Sequence, residues 1–565
     1  MLSRLIGRSA PEADEATEAT EVETRDSRQV RVGMVVDMAD ASWMGGLIPA
    51  VEQERYGYAR PEWLYLVSED ELSLAGDQAA RPILTPKHPT AMPLFAGYAE
   101  AINAGKTPLN EDQAAAKLIQ LVEQRAEEQD KTAPTPCPNR RFVEKPPPSL
   151  QSDSEEEEAS EEEASARPTF DDQPLSLQAE IEAMLAGDEE EVKEAESPLL
   201  RVEAYYFGLF DGHAGTGAAL MASNCLHAHI QERLSHILNT LVHLEQQEAS
   251  LGCSGAVLTP NGKHLSRDGL VIGALETAFV QMDEQIAEEK MSWRIPGGCA
   301  AVAALFLLGR LYVANAGDCR ALLVRADAST RQLSRDHTPE AERKRLQQLA
   351  FGQPELIGKQ FTRLEYNRHL TRRDLRKKVL FRDWFMDGWA LKTVRETDIR
   401  PPLISDGMRK VRLLNTIGVV RGFGDHHLMT MDDRIPIKPF LSPVPEVEVL
   451  DLSGLDSIGA KDVLVLASDG LWDVLSCQEV ATIVANALQN SSDSDASTMY
   501  TLAAQDLVIT ARGDPSGPGG RWELGLEGRE GHASTDDISV FVIPLKHALA
   551  PPQILDDDEP LLIPA

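Results

Sequence analysis

The chain has 565 residues and a mass of 61.9 kDa, enough for one large domain with insertions or about two to four smaller ones. Apolar residues make up 42% and charged residues 26%, the balance of a globular protein, while aromatics are thin at 5%. With 55 basic against 90 acidic residues the net charge is −35, which excludes a nucleic-acid backbone or an anionic membrane surface as the main partner. The six cysteines (Cys137, Cys225, Cys253, Cys299, Cys319 and Cys477) show no C-x-x-C spacing, so reduced thiols in a cytoplasmic or nuclear protein are expected. The opening MLSRLIGRSAPEADEATE lacks the apolar core of a secretory signal, and no Gly follows the initiator Met for myristoylation. The longest apolar stretch, Cys299–Leu308, falls far short of the ~20 residues of a membrane helix and reads as a buried strand.

Residues 1–48 are polar and acidic at the start and read as a disordered segment, with globular texture from about Pro49 (YGYARPEWLYLV) to 548 and a short tail at 549–565. An acidic insertion interrupts this domain at 131–198. Within 151–200 there are 18 acidic residues against Arg167 and Lys193, a net of −16, and such a stretch repels itself and has little to bury. Strands are expected at Tyr205–Phe210, Ala300–Leu308, Leu311–Asn315, Arg320–Val324, Val463–Ala467 and Ile538–Ile543. Helices are expected at Ala218–Val242, Leu270–Glu289, Pro339–Ala350, Cys477–Leu488 and Thr498–Ala511. Strands with helices between them, but no strict βαβ rhythm, indicate an α+β domain. Residues 350–400 form a second insertion of different texture. Between Lys359 and Arg400 there are 12 Lys or Arg and six Asp or Glu, a net of +6, around a few large apolar residues such as Phe361, Trp384 and Trp389.

The chemistry lies in aspartates placed repeatedly at the edges of apolar strands. Tyr205–Phe210 runs into Asp211-Gly212-His213, Leu311–Asn315 into Gly317-Asp318, and Val463–Ala467 into Asp469-Gly470-Leu471-Trp472-Asp473, while Thr535-Asp536-Asp537 precedes the last strand. Each aspartate alone is an ordinary turn residue. Strand ends of one sheet lie side by side, however, so the four groups can converge on one rim. Clustered carboxylates repel, and a hard divalent cation such as Mg²⁺ or Mn²⁺ resolves the repulsion.

These residues carry a resemblance. FDGHAG (210–215), NAGDCR (315–320), SDGLWD (468–473) and TDDIS (535–539) resemble the ordered motifs of the PPM, or type-2C, metal-dependent serine/threonine protein phosphatases. GYAEAINAGKTPLNEDQA (97–114), GGC (297–299), LSRDHTPEAERKRL (333–346) and TIGVVRGFGD (416–425) extend it over about 49–548, and the NAGK…NEDQ form with the long 350–400 insertion resembles the H/J/M branch. The resemblance implies a sandwich of two antiparallel sheets flanked by helices, with two Mg²⁺ or Mn²⁺ ions at one end activating a water. It implies that Asp211 bridges the ions, that the carbonyl of Gly212 binds one, and that Asp469 and Asp536 complete the direct ligands. Glu111 and Asp112 would contact metal-bound waters, Asp318 and Asp473 with Asp469 would form a weaker third site, and His213 would protonate the leaving seryl or threonyl oxygen.

Two positions depart from the family pattern. Lys106 stands where most members carry a phosphate-gripping arginine, replacing a bidentate fork by a point charge. Asp537 stands where an asparagine is usual, which adds negative charge near the ions. Phosphorylated proteins are the implied substrates, and the basic 350–400 insertion is a candidate selector of acidic or phosphorylated partners. The rival reading is a catalytically weak pseudophosphatase acting as a binding or scaffold protein. A cysteine phosphatase is rejected: Cys319 and Arg325 have the C-x5-R spacing, but RALLV between them is strand-forming and lacks the Gly of a phosphate-cradling loop.

Overall fold

A computed structural model describes residues 58–123 and 200–549, apart from short stretches at 252–255, 259–262, 294, 296, 406–409, 456, 491–497, 516–521 and 527–530. The expectations for the N-terminal segment, the acidic insertion at 131–198 and the C-terminal tail lie outside the described residues. In chain order the elements are α1 (Glu69–Ala75), β1 (Ile83–Leu84), β2 (Gly97–Ala101), β3 (Gln113–Val122), β4 (Arg201–His213), α2 (Gly217–His236), α3 (Leu238–Leu251), β5 (Ala256–Leu258), β6 (His264–Ser266) and α4 (Arg267–Trp293). There follow β7 (Gly298–Leu307), β8 (Arg310–Ala316), β9 (Arg320–Val324), β10 (Thr330–Gln332), α5 (Arg343–Gly352), β11 (Glu365–Tyr366), β12 (Lys378–Arg382) and β13 (Ala390–Thr393). The last are β14 (Phe423–Gly424), β15 (Glu446–Asp451), β16 (Val463–Ala467), α6 (Asp469–Trp472), α7 (Cys477–Asn490), α8 (Met499–Arg512) and β17 (Ile538–Pro544).

The strands form two large sheets, one ordered β1-β2-β17-β16-β9-β10 and the other β15-β8-β7-β4-β3 with β14 beside β7. Pairing is antiparallel throughout the first sheet and from β15 to β4 in the second. Alternation along the strands makes the layers. Leu464, Leu466, Phe541 and Ile543 face a core shared with Phe207, Leu209, Val302 and Phe306 of the other sheet. Their neighbours Val463, Val465, Val540 and Val542 face α7 and α8 through Val480, Val484, Tyr500 and Leu507. A Cβ on Gly97 would lie 2.0 Å from the Tyr500 carbonyl carbon, so glycine alone lets α8 rest on β2. The second sheet is covered by α2 and α4, which pack together and on β7 and β14. The α+β sandwich flanked by helices is therefore as expected.

Two local readings change. The helix expected at Ala218–Val242 is α2 and α3, which break at Ile237, where the N–H turns to Leu234 and Ser235. Tightening of the last turn needs no Gly or Pro and leaves no mark in the apolar pattern. The strands β2 and β3 were not foreseen, because GYAEA and QAAAK are rich in residues that favour strands weakly. The basic insertion builds a small sheet, β11-β12-β13, over its own apolar cluster of Tyr366, Leu370, Val379 and Val394. A neighbouring stretch of chain forms a second cluster, from Leu346 and Phe361 to Leu413, Val420 and Phe440. Among the described residues no helix is long and apolar enough to cross a membrane.

Candidate active site

The two central sheets bring their aspartate-bearing ends to one place. Asp211, Gly212 and His213 finish β4, in register with Ala300, Cys299 and Gly298 of β7. Asp318 lies between β8 and β9, Asp469 opens α6 directly after β16, and Asp473 caps that short helix. Asp536 precedes β17, and Glu111 and Asp112 precede β3. The Asp469 N–H donates to the Asp211 carboxylate at 3.2 Å, tying the first sheet to the second. The Gly215 N–H donates to Glu111 Oε1 at 2.6 Å, and Ser468 Oγ donates to Asp112 Oδ2 at 2.7 Å. At Gly212 the chains approach so closely that a Cβ would lie 2.3 Å from the Glu111 carbonyl oxygen.

The electrostatics follow from this crowding. Burial holds Asp211 far above the usual carboxylate range, and the charges of Asp469, Asp112, Asp318 and Asp536 add to the shift. Burial likewise raises Asp112, with Asp537 the next cause. Asp469 is pushed up to about 7, first by desolvation and then by Asp318, Asp473 and Asp536. Asp318 rises to about 6, again chiefly by desolvation. Carboxylates that resist ionising together are a donor set for a hard divalent cation, so the residues present fit Mg²⁺ or Mn²⁺. Two lysines reach the cluster. Lys106, on the loop between β2 and β3, pairs with Asp536 Oδ2. Lys410 lies 2.8 Å from Asp473 Oδ2 and 3.7 Å from Asp469 Oδ2.

Among the described residues, the trio whose ligand atoms all lie within 4.8 Å of one another is instead His337, Glu342 and Glu446. Those carboxylates are already matched. Arg421 and Arg345 both bind Glu342, and Arg335 bridges Glu342 and Glu446. The buried His337 accepts the Gly317 N–H at Nδ1, 3.2 Å away, and its backbone N–H donates to the Gly317 carbonyl, so this cluster braces the turn that carries Asp318.

Several residues at the site had no assigned role from sequence. Asp425, at the end of RGFGD, places Oδ2 2.6 Å from His213 Nε2 and is itself buried. Burial alone would lower the His213 pKa, but the Asp425 bond and charge, with Asp318 and Glu111, raise it overall. Asp537 accepts from the Asn103 N–H (2.7 Å) and the Glu111 N–H (2.8 Å), one on each oxygen. An asparagine has only one acceptor oxygen, so the departure from the family pattern has a structural use in fixing the Lys106 loop. Arg81 is wholly buried and donates to the carbonyls of Ile102 (2.7 Å), Ser534 (2.8 Å) and Asp536 (3.2 Å), locking the two loops that carry Lys106 and Asp536. Asp425 and Asp537 had a local signal, each an Asp in a quoted motif; Lys410 and Arg81 sit in unremarkable sequence. Cys319 is buried beside the extended strand β9, as the rejection of a cysteine phosphatase requires.

A family model described as "Protein phosphatase 2C" matches residues 187–379 and 402–512. Protein phosphatase 1H of Homo sapiens is 40% identical over 556 residues, covering 91% of this chain and 98% of that protein. Protein phosphatase 1J of Mus musculus is 38% identical over 503 residues, 86% of each. A solved serine-threonine phosphatase 2C from Toxoplasma gondii aligns over 61% of this chain and 90% of that one at 17% identity and a TM-score of 0.30, too loose to carry detail. Extensive identity along nearly the whole length, on a sandwich whose strand ends gather the motif aspartates, has one reading: the chain belongs to the protein phosphatase 2C (PPM) family of metal-dependent serine/threonine protein phosphatases, in its H/J branch.

Proposed function

We propose that this phosphatase hydrolyses phosphoserine and phosphothreonine in proteins at a binuclear Mg²⁺ or Mn²⁺ centre held by Asp211, the Gly212 carbonyl, Asp469 and Asp536. When bound, the ions supply a water that ionises near neutral pH and offset charge on the phosphoryl group. Glu111 and Asp112 orient waters of that centre, and Asp318, Asp469 and Asp473 offer a weaker third position. Lys106 contacts the phosphate as a point charge beside Asp536. His213, kept protonated by Asp425, gives its proton to the departing seryl or threonyl oxygen. The observation that supports this reading is the convergence of the strand ends, where the Asp469 N–H donates to the Asp211 carboxylate and burial, with neighbouring acids, raises Asp211, Asp469 and Asp318, a cluster that costs stability unless a cation uses it.

Hydrolysis of p-nitrophenyl phosphate and a phosphothreonine peptide, assayed with Mn²⁺, Mg²⁺ or EDTA, tests it. Turnover with either metal and none in EDTA is expected. A folded protein inert in both metals would make the chain a binding protein on a phosphatase fold.

We further propose that the basic insertion selects protein substrates. Arg372, Arg373 and Arg376 are exposed and lack an ion pair among the described residues, whereas Arg363, Arg368 and Arg382 pair with Asp383, Asp374 and Glu365. Reversing the charge at the three exposed arginines should reduce kcat/KM for a phosphoprotein about tenfold, the size of a few screened charge contacts, and leave p-nitrophenyl phosphate unchanged. Equal loss on both substrates would remove the selectivity role.

A further inference from the structure

Lys410 has no part in the family motifs, yet its ammonium sits among the acids of the rim. Its Nζ is 2.8 Å from Asp473 Oδ2 and 3.7 Å from Asp469 Oδ2. The chain that delivers it is anchored. Ile404 and Leu413 form an antiparallel bridge, the Ser405 N–H donates to the Arg412 carbonyl at 2.9 Å, and the Arg412 N–H donates back to Ser405 Oγ at 3.0 Å. Leu403, Leu413 and Leu414 then fix the flanking chain into the apolar cluster of Leu346 and Phe361. The lysine side chain itself is 59% exposed, so it is presented to the rim without being trapped there.

We propose that Lys410 is a tethered cation that shares the Asp469 and Asp473 carboxylates with the weakly held third ion, and so sets the metal concentration at which that ion binds. The inference rests on the metal-centre reading above. A divalent ion takes carboxylate oxygens at about 2.0–2.6 Å, so an ion on Asp473 Oδ2 and an ammonium 2.8 Å from the same oxygen compete for one set of lone pairs. Both are positive, and each makes the other's presence unfavourable. Occupancy of the third position therefore requires Lys410 to swing into solvent, which its exposure permits. Lys106 makes its ion pair with Asp536 instead, and its ammonium forms no ion pair with Asp469 or Asp473 among the described residues.

The test is Mn²⁺ binding by the full chain, followed by calorimetry and by electron paramagnetic resonance of the free ion, for wild type, Lys410→Gln and Lys410→Arg. Lys410→Gln should tighten the weakest Mn²⁺ site about fivefold, the equivalent of about 1 kcal/mol for one partly exposed ion pair, and leave the tighter sites alone. Lys410→Arg, which keeps the charge, should stay near wild type. Identical isotherms for wild type and Lys410→Gln overturn the inference while leaving the metal centre intact. So does a tightening that Lys410→Arg reproduces in full, since charge would then not be the cause. Absence of Mn²⁺ uptake by all three proteins overturns the metal centre itself, and this inference with it.

Discussion

Asp211→Asn lowers metal-dependent turnover by about a thousandfold or more and, in EDTA, raises the melting temperature. The first effect follows from the central position of Asp211, whose carboxylate accepts the Asp469 N–H and is surrounded by Asp469, Asp112, Asp318 and Asp536. Losing the ligand shared by both proposed ions forfeits several kcal/mol of charge stabilisation, which is about three decades of rate. The second effect has the opposite sign because the same carboxylate is a burden without metal. Its folded-state pKa lies well above the unfolded value, so whatever stability it lends is complete only below the unfolded pKa and is lost as pH rises. Near pH 7.5 its ionised form counts against folding, and a neutral amide of the same shape relieves that. A gain of a few degrees in EDTA is the expected scale. Adding Mn²⁺ should reverse the order, because binding to the native state alone stabilises wild type by about 2.7 kcal/mol at a hundredfold excess over Kd. Thermal melts of both proteins with EDTA and with Mn²⁺ read all of this. An Asp211→Asn protein that melts below wild type in EDTA would show that the carboxylate is a structural strut and not a poised ligand.

That trade between function and stability also explains what was legible in the sequence. Strands such as Arg320–Val324 and Val463–Ala467 were readable to the residue because each is an apolar run, after the opening arginine in the first, buried on both faces. The aspartates at their ends stood out because they break the rule that a buried sheet end avoids charge. Elements whose stability comes from contact and not from composition were not readable. Ala-rich β2 and β3 are strands because β17 and β4 pair with them, and Gly97 matters only once α8 is seen to rest on it. Long-range polar partners were equally hidden. Asp425 is 212 positions from His213, and Arg81 is 455 from Asp536, so no local spacing announces either contact. Lys410 follows the same logic, since its position depends on the long-range anchoring of Ile404 and Leu413.

The His213–Asp425 pair leads to a prediction that separates acid catalysis from mere positioning. His213 Nε2 is bound to Asp425 Oδ2 at 2.6 Å, which leaves Nδ1 as the nitrogen able to face a leaving group. Desolvation alone would lower the imidazolium's pKa, and the Asp425 hydrogen bond, followed by the Asp425 charge, is the main influence that turns the shift upward. In Asp425→Asn an acceptor oxygen remains but the charge does not, so the upward influence weakens against burial and the His213 pKa falls. Asparagine also tolerates the left-handed backbone at this position, where φ is +54°, so the loop should keep its shape. The basic limb of the kcat profile should then move to lower pH. At about pH 8 the phosphothreonine peptide should lose about 10- to 100-fold in kcat, with part of the loss recovered near pH 6. Hydrolysis of p-nitrophenyl phosphate should change little, because nitrophenolate leaves without a proton. His213→Asn should show the same contrast between substrates, but with no recovery at low pH. Equal losses on both substrates, or a basic limb that does not move, would mean that Asp425 holds the loop in place and does not govern the proton on His213.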